Sequence, residues 1–418
     1  MSDVKKVTLS HAIKTISGTV VLTGSKSESN RALILQALSQ GSVRVSNLSE
    51  AADTVTMNEA LSLAKRSSTN NERTTIDIGP AGTAMRFLTS FLSLATGSFE
   101  LTGSARMQER PIKLLVDALQ AIGAKISYAA HKGYPPLHID GPLDQTETAV
   151  AIPGDISSQY ISSLLLLAPA LPKGLTIHIE GELTSKPYVT MTLDMLRESG
   201  IEYQWDQQTI TIPAQSFGQA TLYVEPDWSA ASYWYAMVAL AKEGSLFLPG
   251  LKKNSLQGDI AIANIMTHFG VHTTFQEDGI FIQKATLTRE PVFLDLKECP
   301  DLAQTIVVIA AALRIPTTFT GLETLKIKET DRIAALQTEI GKFGCKLLEH
   351  DGIYKLVTSE YVVPDELVIS TYEDHRMAMA FAPLALHFPL VTIEEPAVVN
   401  KSYPDFWQHL QEQQFTLT

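Results

Sequence analysis

Four segments repeat one pattern of apolar and polar positions: 114–123, 192–200, 262–270 and 335–344. In each, apolar residues recur at helical spacing, a glycine closes the run, and a strand-like stretch follows. A glycine there suits the left-handed conformation that ends a helix. The closing glycines stand 77 (123 to 200), 70 (200 to 270) and 74 (270 to 344) residues apart. That period predicts a tandem of α/β units of roughly 70 residues, each with two helices and several strands. About six such units fit the 418 residues.

A second repeated element opens apolar helices: Gly154-Asp-Ile-Ser-Ser-Gln159, Pro226-Asp-Trp-Ser-Ala-Ala231 and Pro300-Asp-Leu-Ala-Gln304. Asp or Ser ahead of an apolar run is a helix N-cap signal. Three units per domain divide the chain near residues 224–227. The predicted domains are therefore 19–225, and 226–418 joined by 1–18, with the first strand-and-turn region pairing with the later half. The polar tract 66–73 reads as a surface loop.

Composition narrows the class. Lys and Arg number 33 against 45 Asp and Glu, for a net charge of −12. That excess argues against a nucleic-acid binder or a membrane-surface protein. It leaves room for a small anionic ligand held by a local basic cluster. The two cysteines, Cys299 and Cys345, form no C-x-x-C, so neither a disulfide framework nor a zinc site is expected. A reducing, cytoplasmic setting follows. Residues 1–7 lack the apolar core of a signal peptide. The most apolar run, 161–171, is too short to span a bilayer.

The first basic cluster is Gly24-Ser-Lys-Ser-Glu-Ser-Asn-Arg31. It follows a strand-like run at 19–23 and precedes a helix-like run at 31–39. A strand emptying into a helix N-terminus presents free N–H groups and the positive end of a dipole. With Lys26 and Arg31 it makes a candidate anion cradle. It is not a P-loop: Gly18 and Gly24 are one residue too far apart, and Ser25 separates Gly24 from Lys26. The plain alternative is a solvated Ser/Lys loop.

Further stretches supply cations and a few acids. They are Gly79-Pro-Ala-Gly-Thr-Ala-Met-Arg86, Arg106-Met-Gln-Glu-Arg-Pro111, Ser157-Ser-Gln159, Thr184-Ser-Lys-Pro-Tyr188, Lys328-Glu-Thr-Asp-Arg332, Asp374-His-Arg376 and Lys401. Gly82 allows a ligand to approach the backbone, or simply opens a helix. Arg106 and Arg110 suit bidentate anion contacts, or form a solvated edge. A cap explains one of Ser157 and Ser158, and Ser185 suits a turn. The 328–332 run reads alone as an exposed, ion-paired helix start. Asp301 reads alone as a cap, and His375 as structural.

In order, these motifs resemble the 5-enolpyruvylshikimate-3-phosphate synthase family across nearly the whole chain. The resemblance rests on Gly-Ser-Lys-Ser-x-Ser-Asn-Arg, Ala-Gly-Thr-Ala-Met-Arg, Arg-Met-x-Glu-Arg-Pro, Ser-Ser-Gln, Ser-Lys-Pro-Tyr, Lys-Glu-Thr-Asp-Arg, Asp-His-Arg-Met-Ala-Met and Lys-Ser-Tyr-Pro-Asp-Phe. It implies an α/β fold: a two-lobed inside-out α/β barrel with three βαβαββ units per lobe, two chain crossings and an active site in the inter-lobe cleft. It implies transfer of the enolpyruvyl group of phosphoenolpyruvate to shikimate 3-phosphate, in the route to chorismate and aromatic amino acids. It implies no metal or organic cofactor, and a monomer.

The resemblance also assigns roles. Ser157, Ser158, Ser185 and Lys328 hold the phosphate region of shikimate 3-phosphate, and Ser27 and Arg31 its carboxylate. Gly82, Arg110, Arg332, Arg376 and Lys401 bind phosphoenolpyruvate. Lys26 and Gln159 touch both ligands. Asp301 is the base at the 5-hydroxyl, Glu329 fits the acid at C3, and Lys26 is a neighbouring proton carrier. Three positions depart from common family residues: Pro80 and Thr324 where Asn is frequent, and Phe87 where Pro is. They bear on ligand affinity and on the response to glyphosate. The alternative is UDP-N-acetylglucosamine enolpyruvyl transferase, which typically has Lys-Asn at the first site and a loop Cys. Here the pair is Lys26-Ser27, and no Cys lies near 106–110.

Overall fold

A computed structural model describes residues 5–67 and 72–418. It divides into two compact units: Gly24–Val224, and a second that combines the segment through Thr23 with Glu225–Thr418. The described residues form six sheets, three in each unit.

Five sheets share one topology. In the first unit, Thr74–Asp77 runs parallel to Gly97–Thr102, which pairs antiparallel with Leu137–Gly141 and then Lys125–Tyr128. Ala149–Pro153, Leu175–Glu180, Thr209–Ile212 and Gln204–Asp206 repeat that arrangement. Helices between the strands make each a βαβαββ unit. The third sheet is reduced to one parallel pair, Val43–Ser46 with Ala220–Tyr223. The second unit has three full copies, two completed by the N-terminal segment. Thr15–Thr19 is the parallel edge beside Glu243–Pro249, and Lys6–Ser10 pairs with Leu390–Glu394. The four repeat glycines, 123, 200, 270 and 344, all have positive φ.

Several local expectations shift. The strand before the basic stretch is Thr15–Thr19, not 19–23. Val20 and Leu22 still alternate inward, into the core of the second unit, while Val21 is exposed. Val20 N–H donates to Phe247 O at 3.0 Å, so 19–23 belongs with the second unit rather than opening the first. Glu225 likewise joins the second unit, accepting from Trp228 Nε1 at 2.9 Å. The helix begins at Lys26, not residue 31. Ser25 caps it by accepting from Glu28 N–H, and Ser25-x-x-Glu28 has capping-box spacing. In the 66–73 tract, the helix Ala52–Ser67 extends over Arg66 and Ser67, and residues 68–71 lie outside the described residues.

Three helices fill the second unit: Trp228–Leu240, Ala303–Leu313 and His375–Phe381. Almost every residue on them is buried, which is why they read as apolar on all sides. Cations satisfy the carbonyls at their C-terminal ends. Lys284 Nζ donates to Ala239 O at 2.7 Å, and Arg289 Nη1 to Leu313 O at 3.1 Å. Lys14 Nζ donates to Ala385 O at 2.6 Å, in the 3-10 turn that continues the third helix. An aspartate stands at each N-terminal end. Asp227 and Asp374 are caps, accepting from Ala230 N and Arg376 N. Asp301 is not: the helix after it has no side-chain cap. No described helix is long and apolar enough to cross a membrane.

Candidate active site

In the second unit, the carboxylate of Asp301 accepts from Arg376 Nη2 at 2.8 Å and Arg332 Nη1 at 3.1 Å, with Lys328 Nζ at 3.8 Å. Burial opposes its charge, but these three cations hold its carboxyl well below the usual carboxylate range. A cap at this position is worth about 1 kcal/mol. The chain forgoes it and spends the aspartate on cations.

The run 328–332 is not a helix start. The helix is Arg332–Gly341, capped by Asp331, which accepts from Ile333 N and Ala334 N at 3.1 Å each. Lys328 and Glu329 therefore stand in the preceding turn. Arg332 is only 2% exposed, and its Nε donates to Asp374 Oδ2 at 2.7 Å. Burial works against its charge, yet Asp374, Glu329 and Asp301 outweigh that and raise its pKa. Glu329 accepts from Arg332 Nη2 at 3.0 Å and from Lys401 Nζ at 2.9 Å. Thus Asp301, Lys328, Glu329, Arg332, Arg376 and Lys401 form one ionic network. His375 is buried beside Asp374, at 3.5 Å.

In the first unit, Gly82 opens the helix Gly82–Leu94. A Cβ on Gly82 would lie 2.7 Å from Arg110 Nη1, so only glycine lets that guanidinium rest against the helix N-terminus. Gln159 Nε2 donates to Thr83 Oγ1 at 3.4 Å, which draws the Ser157–Gln159 turn to the same place. Ser157 is the cap of its helix, accepting from Gln159 N, and Ser158 is buried beside it. Ser185 precedes the next helix with φ +53°. Arg106, by contrast, is exposed and pairs with Glu109 at 3.0 Å, a contact worth little.

Lys26 Nζ donates to Asp53 Oδ2 at 3.2 Å, and Ser27 follows it on the helix. Arg31 is 2% exposed and turned inward. It donates to Thr192 Oγ1 at 2.7 Å, Ser27 O at 2.8 Å, and Ser162 Oγ and Tyr188 O at 3.2 Å each. These bonds engage four of its five N–H groups. Burial lowers its pKa to about 10. The Phe87 ring lies 5.3 Å from its guanidinium, giving that residue a packing role. Thr324 Oγ1 is buried without a hydrogen-bond partner among the described residues.

Sequence reasoning missed the residues that hold these groups. Asp53, Thr192 and Ser162 carry no local signal. Asp374 lies inside a motif, but its bond to Arg332 spans 42 residues and no spacing announces it.

The chain is similar to known proteins over nearly its whole length. The family model described as EPSP synthase (3-phosphoshikimate 1-carboxyvinyltransferase) matches residues 10–410. A 3-phosphoshikimate 1-carboxyvinyltransferase of Bacteroides fragilis is 46% identical over 96% of both chains. The EPSP synthase structure from Acinetobacter baumannii superposes with a TM-score of 0.77 at 19% identity, covering 99% of this chain and 100% of that one. The enolpyruvyl transferase NikO from Streptomyces tendae superposes at 0.71 and 16%, covering 99% of each. The fold is thus shared with more than one enolpyruvyl transferase and does not by itself choose an acceptor. By the sequence match, the chain belongs to the EPSP synthase family.

Proposed function

We propose that this chain transfers the enolpyruvyl group of phosphoenolpyruvate to the 5-hydroxyl of shikimate 3-phosphate and releases phosphate. The observation that carries the reading is Asp301, an aspartate at a helix start that it does not cap, held among Arg376, Arg332 and Lys328. Both substrates are polyanions, and that cluster suits their phosphates and carboxylates. Arg332, Arg376 and Lys401, with Arg110 and Gly82, bind phosphoenolpyruvate. Lys328, Ser157, Ser158 and Ser185 bind the phosphate region of shikimate 3-phosphate, and Ser27 and Arg31 its carboxylate. Lys26 and Gln159 contact both.

The 5-hydroxyl gives its proton to Asp301 as its oxygen bonds to C2, and C3 gains a proton from Glu329, with Lys26 as a further proton carrier. The tetrahedral adduct then loses a C3 proton and expels phosphate. The cations stabilise the charge that develops. In the free protein these cations make Asp301 a weak base. Bound anions offset the same cations and bring its pKa toward a working range. Activity requires the carboxylate, so it falls as pH drops through that pKa. Lys328→Met removes one cation and raises the pKa. The acid limb of kcat, measured at saturating substrates, is therefore expected to move to higher pH. An unmoved limb contradicts the role of Asp301.

Gly82→Ala drives a Cβ into Arg110 and is expected to raise KM for phosphoenolpyruvate about tenfold, the worth of one charged hydrogen bond. KM for shikimate 3-phosphate stays. Steady-state kinetics with each substrate varied checks this, and equal changes in both would contradict it.

The UDP-N-acetylglucosamine enzyme remains the competing reading. Cys299 and Cys345 are both buried, and burial raises both thiols, that of Cys345 to about 12. Neither suits a proton donor. Phosphate release from phosphoenolpyruvate with each acceptor separates the readings: shikimate 3-phosphate supports turnover, and UDP-N-acetylglucosamine does not. The reverse result would overturn the proposal.

A further inference from the structure

A second carboxylate is buried beside Arg376, and the reading above does not use it. Asp259 is 3% exposed, in the 3-10 turn Gly258–Ala261, whose cap position is Gln257. Its Oδ2 accepts from Ser229 Oγ. Its Oδ1 is buried without a hydrogen-bond partner among the described residues. A buried carboxylate so thinly satisfied costs the fold free energy, so stability does not account for it. Burial and the nearby Asp301 push its carboxyl up to about 7, against the pull of Arg376.

Ser229 connects the two. It lies in the first turn of Trp228–Leu240, and its hydroxyl accepts from Arg376 Nη2 at 3.4 Å. One turn on, Tyr233 OH accepts from Nη1 at 3.5 Å. This guanidinium also donates to Asp301, at 2.8 Å to Oδ2 and 3.2 Å to the carbonyl. We propose that Asp259, acting through Ser229, is a positioning residue for Arg376 in phosphoenolpyruvate binding. Asp259 takes the hydroxyl hydrogen of Ser229, which turns the oxygen lone pairs toward Arg376. The guanidinium is then fixed on two sides, by Asp301 and by Ser229. This rests on the reading of Arg376 as a phosphoenolpyruvate ligand.

The test is a double-mutant cycle. Ser229→Ala is expected to raise KM for phosphoenolpyruvate about tenfold, with kcat and KM for shikimate 3-phosphate within about twofold. Ser229→Thr keeps the hydroxyl and restores KM. Asp259→Leu, which leaves no acceptor for the hydroxyl hydrogen, raises KM in the same direction, and the double variant adds nothing further. Its melting temperature holds or rises, because a costly buried charge is gone; a structural role predicts a fall instead. With a normally active parent, an unmoved KM in Ser229→Ala overturns the proposal. So does an equal rise in Ser229→Thr, or a lower melting temperature with KM unchanged in Asp259→Leu. A parent without turnover overturns the functional reading itself and this one with it.

Discussion

Asp301→Asn retains both substrates and loses turnover by about 10²–10⁴-fold, the usual loss when a positioned base is removed. Asn keeps the shape and one acceptor oxygen, enough for one of the bonds from Arg376 and Arg332, but it cannot take a proton. Substrate affinity changes little, because the phosphates and carboxylates are bound by the cations. The cap alternative makes the opposite prediction: full turnover and, since Asn is itself a good cap, an unchanged melt. The structure already weakens it, because no side chain caps the helix Ala303–Leu313. Steady-state kinetics and a thermal melt on this variant decide. Turnover within a few-fold of the parent would remove Asp301 from the mechanism.

Arg110→Ala weakens phosphoenolpyruvate binding by about 2–5 kcal/mol, the cost of truncating one partner of a buried charge contact. Shikimate 3-phosphate binding falls far less. The motive is local: Gly82 has no Cβ, and Arg110 occupies the space one would fill, 2.7 Å from Nη1. Arg110 Nε is buried without a hydrogen-bond partner among the described residues, so the guanidinium is partly desolvated before any ligand arrives. A desolvated cation at a helix N-terminus attracts an anion more strongly than a solvated one. Titration calorimetry with each ligand separates the two affinities, and equal losses would contradict the assignment.

Much of the repeat architecture is legible in the chain because its punctuation is local. The glycines at 123, 200, 270 and 344 end helices by backbone conformation alone, and their period exposes the tandem. The pairing of the N-terminal strands with the later half is legible as well, but their partners are not: Lys6–Ser10 joins Leu390–Glu394, and Thr15–Thr19 joins Glu243–Pro249. The strand at 19–23 was an error of periodicity. Val20 and Leu22 do alternate inward, but ladder hydrogen bonds, not alternation, define a strand. The helix start at Lys26 is legible in the capping-box spacing Ser25-x-x-Glu28. At the site, residue types were readable and partners were not. Asp301 and a capping aspartate such as Asp227 look alike in sequence. Only the long-range arrival of Arg332 and Arg376 tells them apart. Arg31 shows the converse: a basic motif residue whose guanidinium is mostly engaged by Thr192, Ser162 and Tyr188.

The central claim is a transfer between two named substrates, and ³¹P NMR of one reaction mixture reports it directly. Phosphoenolpyruvate and shikimate 3-phosphate are mixed in equal amounts with the protein. The phosphoenolpyruvate signal is expected to fall as inorganic phosphate rises in equal measure, while the shikimate 3-phosphate signal moves to that of its 5-enolpyruvyl product. Phosphoenolpyruvate left intact, or consumed with the shikimate 3-phosphate signal unmoved, would contradict the account.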